Sequence, residues 1–165
     1  MRKYSWLMTF DDKAEVIKHE EARNRLFDIA ETIKKNICEE KDMKYEWIDE
    51  FLMVKPGVTK DLQEEWNWIR YQIDGKMFAA ICRDDDNKPV YITLKLEPAE
   101  GEFWRGQFVD VIPGYYMNKV HWNSVKAEGE VPDDVVKGML ENAYRIVFNS
   151  IPKKKQKEIL DNAEK

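Results

Sequence analysis

The first repeating pattern of hydrophobic positions in the chain has the spacing of an α-helix. Between Asp12 and Cys38, apolar residues recur three and four positions apart, and charged residues occupy many of the positions between them. This spacing places the apolar side chains on one face of a helix. The face consists of Ala22, Leu26, Ile29, Ala30, Ile33 and Ile37. A shorter helix is predicted over Tyr45–Met53, and Pro56-Gly57 stops it.

The middle of the chain has the two-residue period of β-strands. Apolar and polar residues alternate over Ile69–Asp74 and again over Val90–Glu97, which is typical of half-buried strands. Asp74-Gly75 predicts a type I′ hairpin turn, because both central residues of that turn need positive φ. The apolar run Met77–Cys82 suits a central strand. Together these segments predict a three-stranded antiparallel meander.

The last third of the chain returns to helical patterns around one further strand. Pro98 begins a short helix, a strand is predicted over Trp122–Ala127, and Pro132 begins a helix that runs to about Asn149. A basic helix is predicted over Pro152–Leu160. The resulting order, αα-βββ-α-β-α, predicts an α+β fold in which helices pack on one face of an antiparallel sheet.

The composition is that of one ordinary domain. The 165 residues are 43% hydrophobic and 36% charged, so a buried core is expected and disorder is not. No apolar run reaches the ~18–20 residues of a membrane span, and the N-terminus lacks the apolar stretch of a signal peptide, so a cytoplasmic protein is expected. Cys38 and Cys82 have no CxxC spacing and are predicted to be free, half-buried thiols. The net charge of −5 gives no help to nucleic-acid binding.

The sequence predicts neither a metal site nor a cofactor. The acidic run Asp84–Asn87 lacks the glycine that a calcium-binding loop needs at its sixth position, where this chain has Pro89. Its two histidines, His19 and His121, are far apart. No GxSxG, P-loop or GxGxxG motif is present, and alternation on a strand would point His121 and Ser124 to opposite faces. A catalytic role is therefore not expected.

The block Asn118–Asn123 concentrates groups that can bind nucleic acid or a ligand. Amides and Lys119 can bond bases or phosphates, whereas Trp122 and the nearby Tyr115 offer stacking faces. The alternative is structural: the Trp122 ring lies in a core and the amides cap the turn that follows Gly114. The residues alone leave both interpretations open.

Two other features carry the same ambiguity. Alternation places Trp68 and Arg70 on the polar face of their strand, where the ring is either exposed or covered by a helix, and Trp66 precedes them. The basic run Lys153–Lys157 is either a solvated helix face or a patch that positions phosphates.

Five motifs, in unbroken order over roughly Tyr45 to Leu160, resemble the YjbR/MmcQ family. The segment around Tyr115 and Trp122 is the most specific of them. They are GKMFA (Gly75–Ala79), VYITLKLEP (Val90–Pro98), PGYYMNKVHWNSV (Pro113–Val125), VPDD (Val131–Asp134) and SIPKKKQKEIL (Ser150–Leu160).

This resemblance implies a fold and suggests an activity. Family members are small bacterial proteins with an α+β sandwich similar to CyaY, the bacterial frataxin, and are often labelled DNA-binding through a double-wing arrangement of hairpins. The family supplies no catalytic residues, and many members have His where this chain has Tyr116. Residues 1–44 match less clearly and are predicted to be an N-terminal helical extension packed on a core formed by residues 45–165.

The sequence therefore predicts a non-enzymatic DNA-binding module, with a monomer favoured. Its surface includes Tyr115 and Asn118 and divides into two groups of contacts. Phosphate contacts are expected from Arg70, Lys95 and Lys119, and base or sugar contacts from His121, Trp122 and Asn123. The alternative is a domain that binds a small ligand or a protein through the same surface. A basic stripe beside Trp122 favours nucleic acid, and a pocket with a few polar groups favours a ligand.

Overall fold

A computed structural model of the chain describes residues 18–31 and 44–164. The chain divides into two compact units, Met1–Glu40 and Lys41–Lys165. In the first unit, residues 18–31 form helix α1, which confirms the helical prediction over that range. The remainder of the predicted helix and Cys38 lie outside the described residues. Packing of the N-terminal extension on the core stays a prediction.

The described part of the second unit contains one antiparallel sheet and its helices. The strand order in the sheet is β1-β2-β3-β4-β6-β5, and every neighbouring pair is antiparallel. In chain order the elements are α2 (Ile48–Met53), β1 (Val58–Gln63), a 3₁₀ turn (Glu64–Trp66), β2 (Trp68–Ile73), β3 (Lys76–Arg83), β4 (Pro89–Lys95), α3 (Pro98–Gln107), β5 (Val111–Pro113), β6 (Trp122–Lys126), α4 (Asp133–Asn149) and α5 (Lys153–Ala163).

The predicted meander is confirmed by strands β2, β3 and β4. Asp74 and Gly75 have φ of 50° and 75°, the positive values that a type I′ turn requires. Strand β3 lies between β2 and β4, which is the central position expected from its apolar run. The acidic run at Asp84 forms the turn between β3 and β4, where the Asp84 Oδ1 accepts bonds from the backbone amides of Asp86 (3.0 Å) and Lys88 (2.9 Å).

Strands β1 and β5 are not predicted by the hydrophobic pattern. In β1 only Val58 is buried and Gln63 half-buried, while the four residues between them are exposed, so no alternation is visible. Strand β5 is three residues long and ends at Pro113. Both lie at the edges of the sheet, where a proline and charged residues are tolerated.

The helices cover one face of the sheet and enclose the main core. The predicted apolar stripe of α4 is buried in full. Tyr45, which is fully buried, donates its hydroxyl to the carbonyl oxygen of Val131 at 2.8 Å and so joins the segment before α2 to the segment before α4. The helix stripe consists of Val136, Met139, Leu140, Ala143 and Val147. The α+β fold with helices on an antiparallel sheet is thus as expected.

The opposite face of the sheet, which we call the outer face, carries a second and smaller core. Trp68, Ala80 and Cys82 are buried there, with Met77, Tyr91 and Met117 packed against them. Met117 belongs to the connection between β5 and β6. A loop, not a helix, therefore contributes to the cover of the outer face.

Candidate ligand site on the outer face of the sheet

Two backbone amides of the connection between β5 and β6 donate hydrogen bonds to β6 and hold the connection on the sheet. The amide of Gly114 donates to the carbonyl oxygen of Trp122 at 2.7 Å, and the amide of Tyr115 donates to the Ser124 Oγ at 3.3 Å. A Cβ atom on Gly114 would lie 2.8 Å from the Cβ of Trp122, so only glycine permits this approach. These contacts hold the residues that follow, including Tyr116, against the outer face.

Asn118 caps the turn that leads into β6. Its Oδ1 accepts a bond from the backbone amide of Val120 at 2.9 Å, and its carbonyl oxygen accepts one from the amide of Trp122 at 3.0 Å. Trp122 is only 9% exposed. The contacts of Asn118 and Trp122 are therefore structural: Asn118 caps a turn, and the Trp122 ring is nearly buried.

Asn123 points away from the outer face. Its side chain is fully buried against α3, and its Oδ1 accepts a bond from the Arg105 Nη1. A Cβ atom on Gly101 of α3 would lie 2.8 Å from the Asn123 Nδ2. That nitrogen is buried and has no hydrogen-bond partner among the described residues. Because its side chain is inaccessible, Asn123 cannot make the predicted contact with bases in this fold.

Ser124 belongs to a row of buried polar groups beneath the loop. Its Oγ lies 2.8 Å from the Thr93 Oγ1, which in turn lies 3.4 Å from the Cys82 Sγ. Burial raises the pKa of the Cys82 thiol to about 11, so this thiol stays protonated at neutral pH. These contacts hold the loop on the sheet. Ser124 makes them with Thr93 and the Tyr115 amide and not with His121.

The predicted cations differ in how they are engaged. Arg70 makes two bonds to Asp61 on the neighbouring strand, with Nε–Oδ1 of 2.9 Å and Nη2–Oδ2 of 2.6 Å. These bonds lower the pKa of the Asp61 carboxyl. Lys95, which lies opposite Trp122 in the β4–β6 ladder, and the exposed Lys119 make no ion pair with a described residue.

His121 lies beside these two lysines. Its carbonyl oxygen accepts a bond from the backbone amide of Leu96 at 2.8 Å, one residue beyond Lys95, and its side chain is exposed. Lys95, Lys119 and His121 therefore lie near the same end of strands β4 and β6. In the predicted basic run of α5, Lys155 lies 3.8 Å from the Asp74 carboxylate and 3.7 Å from that of Glu158.

Three aromatic rings meet at the other end of the outer face. The centroids of Trp66 and Trp68 are 5.5 Å apart with the planes inclined at 63°, and those of Trp68 and Tyr116 are 5.6 Å apart at 52°. Trp68 is 4% exposed, so the ring placed on the polar face by alternation is buried, under its aromatic neighbours and Met117. Trp66 and Tyr116 are 53% and 63% exposed.

These rings line a cleft of about 740 Å³, which we call the aromatic cleft. Its volume lies within the roughly 300–1,000 Å³ usual for small-molecule sites. The lining also contains four carboxylates and one guanidinium, so the cleft is acidic. The charged residues are Glu64, Glu65, Asp84, Asp85 and Arg83.

Asn67 ties the two walls of the aromatic cleft together. It has a left-handed conformation with φ of 53°, which ends the 3₁₀ turn directly after Trp66. Its Nδ2 donates to the carbonyl oxygen of Asp84 at 2.7 Å, and its Oδ1 accepts from the Arg83 Nη2 at 2.7 Å. The 3₁₀ turn and the β3–β4 turn are therefore held at a fixed separation.

Four of the eight predicted binding residues are engaged in structural contacts, namely Arg70, Asn118, Trp122 and Asn123, and the other four lie in two places. Tyr115 stacks on Tyr91 at 5.5 Å and contacts Tyr116 at 4.6 Å, so it lies next to the aromatic cleft. Lys95, Lys119 and His121 form the separate group described above, in which Lys119 and His121 are exposed and Lys95 is half-buried. The pairing of β2 with β3 brings Trp66 close to the acidic turn at Asp84, and the predicted meander is the sequence signal from which this proximity follows.

Metal and membrane criteria give negative results within residues 18–31 and 44–164. There, no three His, Cys, Asp or Glu side chains are grouped so that they could hold a metal ion. No described helix is long and apolar enough to cross a membrane.

Comparisons with known proteins give one family model and several individual relatives. The model of the family described as YjbR matches residues 53–146. The uncharacterized protein YjbR of Escherichia coli K12 is 29% identical over 108 residues, which cover 66% of this chain and 90% of that protein. The uncharacterized protein YbdF of Escherichia coli O157:H7 is 26% identical over 89 residues, which cover 54% of this chain and 71% of that protein.

A solved structure supports the fold. The crystal structure of the Deinococcus radiodurans protein DR2400, a DUF419 domain, superposes with a TM-score of 0.61 at 23% identity. The match covers 72% of this chain and 88% of that one.

Proposed function

The chain belongs to the YjbR family, and we propose that it is a binding module whose aromatic cleft takes a partner with a positively charged group. The names of the similar proteins in Escherichia coli state no activity, so the proposal rests on the site. The observation that carries it is that Trp66 and Tyr116, both largely exposed, share one cleft with four carboxylates.

The exposed rings are the first part of the argument. Large aromatic side chains that stay in water forgo the burial that normally stabilises them, and clustered exposure is typical of interaction surfaces. Trp66 is more than half exposed although it packs on Trp68, so its outer face is free to be covered by a partner. The fixed spacing that Asn67 imposes means that little order must be gained on binding.

The charge of the cleft is the second part. Glu64, Glu65 and Asp85 are exposed and make no ion pair with a described residue. Four carboxylates against the single guanidinium of Arg83 leave the concave surface with a net negative charge, which attracts cations and repels phosphates. The cleft therefore favours a cationic partner over a nucleic-acid backbone.

Nucleic acid is the second candidate, through a different part of the outer face. Lys95, Lys119 and His121 are grouped there, and neither lysine is neutralised by a described residue. In this proposal they contact phosphates. Arg70 would first have to leave Asp61, and Trp122 and Asn123 would contribute through the fold.

A titration with matched probes tests the leading proposal. We expect hexylammonium to shift the indole N–H signals of Trp66 and Trp68 in NMR spectra and hexanoate to leave them unchanged, because the two probes differ chiefly in charge. A variant with Glu64→Gln, Glu65→Gln and Asp85→Asn should bind the amine about tenfold more weakly, whereas Glu102→Gln, an exposed carboxylate on α3, should not change it. Equal binding of amine and acid would contradict the proposal.

Duplex DNA in 50 mM salt tests the second candidate. Binding that weakens steeply as salt rises and that Lys95→Ala with Lys119→Ala removes would support nucleic acid. Binding that those variants leave unchanged, or no binding at all, would reject it. The Glu64, Glu65 and Asp85 variant serves as the control, because its changes lie in the cleft and leave the lysines in place.

A further inference from the structure

We propose that the aromatic cleft binds a free basic amino acid, whose carboxylate contacts Arg83 and whose two cationic groups contact the carboxylates of the cleft walls. This inference rests on the proposed function, since it names the class of cationic molecule that the same cleft takes. It depends on one positive charge that the lining leaves unpaired, and on the way in which the acidic residues are divided between the two walls.

Arg83 is a half-buried cation without a carboxylate partner. Four carboxylates line the same cleft, yet none of them forms an ion pair with Arg83 among the residues that the structure describes. Its Nη2 donates to the Asn67 Oδ1 at 2.7 Å, and its Nε is buried without a partner. A partly desolvated guanidinium with unused donors is stabilised by an added acceptor, and most strongly by an anion.

The terminal nitrogens of Arg83 are the atoms that can receive an anion. The Nε is shielded from solvent, whereas Nη1 makes no bond to a described residue and Nη2 keeps one hydrogen after its bond to Asn67. The planar fork of a guanidinium matches the two oxygens of a carboxylate. A carboxylate in the cleft therefore has a specific partner, although the lining as a whole is acidic.

The residues that follow Arg83 supply acceptors for an ammonium beside that carboxylate. Asp84 and Asp85 come directly after it in the turn between β3 and β4, and both are exposed and line the cleft. Asp85 makes no ion pair with a described residue. A guanidinium next to free carboxylates complements a carboxylate next to an ammonium, which is the arrangement at the α-carbon of a free amino acid.

The other wall supplies a second acidic pair beside an aromatic surface. Glu64 and Glu65 belong to the 3₁₀ turn, and Trp66, which follows them, is more than half exposed. Neither glutamate forms an ion pair with a described residue. Carboxylates accept the N–H groups of a primary ammonium, and an indole covers the methylene groups that precede it. This wall therefore suits the cationic end of a lysine-like side chain.

The charge and the rigidity of the cleft agree with a ligand that bridges the walls. The lining is net negative, and a basic amino acid carries two positive groups and one negative group, so its net charge is opposite in sign. Asn67 bonds to both walls and holds them at a fixed separation. Little order must therefore be gained when one molecule contacts both of them.

Four probes of similar size separate the contributions. Lysine carries all three charges, lysinamide lacks the carboxylate, norleucine lacks the side-chain cation, and Nα-acetyllysine lacks the α-ammonium, as the C-terminal residue of a peptide does. Calorimetry and the indole N–H signal of Trp66 should show lysine binding about tenfold more tightly than each of the others. Lysinamide has the larger positive charge, so attraction by the net charge of the cleft alone would rank it above lysine.

Variants of Arg83 test the carboxylate contact. Arg83→Gln should abolish the preference for lysine over lysinamide but retain the binding of hexylammonium, because the acidic residues remain. Arg83→Lys should restore part of the preference, since it keeps the charge and loses the planar fork. Arg145→Gln is the matched control, because this exposed arginine of α4 does not line the cleft.

A second pair of variants tests the wall that takes the side chain. Glu64→Gln with Glu65→Gln should abolish the preference for lysine over norleucine and leave the affinity for norleucine unchanged. Glu102→Gln on α3 is again the control and should preserve the ranking of all four probes.

The outcomes separate this inference from the proposed function. If hexylammonium binds but lysinamide binds as tightly as lysine, the amino-acid inference is wrong and the cationic cleft stands. Equal binding of lysine and norleucine, or of lysine and Nα-acetyllysine, would also overturn the inference, because the side-chain cation or the free α-ammonium would then not be recognised. If neither hexylammonium nor lysine binds, both proposals are wrong. If Arg83→Gln loses hexylammonium as well, the ranking of the four probes by the parent protein decides.

Discussion

The hydroxyl groups of Thr93 and Ser124 lie 2.8 Å apart on neighbouring strands, fully or almost fully buried beneath the loop that carries Tyr115. Ser124 also accepts the backbone amide of Tyr115 at 3.3 Å, so one hydroxyl joins β4, β6 and the loop. The motif around Trp122 therefore holds the loop against the sheet. Its effect on the aromatic cleft is indirect, through the position of Tyr116.

The Thr93–Ser124 pair should show energetic coupling. Replacing either partner alone leaves a buried hydroxyl without its neighbour, so Thr93→Val and Ser124→Ala should each lower the free energy of unfolding by about 1–3 kcal/mol. The double variant should cost less than the sum of the two, with a coupling of about 0.5–1.5 kcal/mol. Urea unfolding of the four proteins measures this cycle, and strict additivity would contradict the pairing.

Gly101 and Gly138 should respond to alanine with opposite signs. A Cβ on Gly101 of α3 would lie 2.8 Å from the buried amide of Asn123, whereas one on Gly138 of α4 meets nothing within 4 Å. Gly101→Ala should destabilise the fold by about 1–3 kcal/mol through overpacking, despite its gain in helix propensity. Gly138→Ala should stabilise it by about 0.5–1 kcal/mol.

Urea or thermal unfolding of the two glycine variants provides the measurement. Equal effects would show that α3 does not pack closely on Asn123. Neither glycine lies in the aromatic cleft. Under conditions where both variants are folded, their affinity for hexylammonium should therefore equal that of the parent.

Strands with one buried and one more polar face could be predicted from the sequence. Strands whose two faces are equally exposed could not. In β4 the core residues alternate with residues of the outer face, so the sequence shows the two-residue period of a strand. In β1 the four middle residues are exposed, so burial leaves no periodic trace in the sequence. Edge position and not propensity decides that strand.

The candidate site was harder to predict because it depends on pairing between distant segments. Trp66 and Asp85 are 19 positions apart in the chain and meet only because β2 and β3 pair with Trp68 opposite Cys82. Alternation does indicate that Trp122 and Asn123 face opposite sides. It cannot indicate which side the helices cover, and that choice buries Asn123 against α3.

The Cys82 thiol should be unreactive in the folded protein. It is 2% exposed, and burial raises its pKa to about 11, so thiolate is scarce at neutral pH. In a Cys38→Ser chain, where Cys82 is the remaining thiol, a disulfide reagent should react about as slowly as the protein unfolds, and urea should accelerate the reaction. Rapid stoichiometric labelling of the folded protein would contradict this burial.

Asp110 should make the stability depend on acid pH. Its carboxylate accepts the backbone amide of Glu130 at 2.9 Å and lies 3.1 Å from the Lys126 Nζ, and these contacts lower its pKa. A carboxyl with a lower pKa in the folded state than in the unfolded chain, where it is about 3.9, stabilises the fold above that value. This contribution is lost as the pH falls through the lowered folded pKa.

The variant Asp110→Asn isolates that contribution. It keeps the shape and an acceptor for the Glu130 amide but cannot ionise, so it should be less stable than the parent at pH 7. The two proteins should converge in stability as the pH falls toward 3, because the parent then loses its carboxylate as well. Urea midpoints measured between pH 7 and pH 3 test this, with Asp161→Asn as a control on an exposed residue of α5. If Asp110→Asn kept the parent's full difference in stability between pH 7 and pH 3, the ion pair with Lys126 and the bond from Glu130 would not stabilise the charged form, and the acid sensitivity would have to arise at other carboxyls.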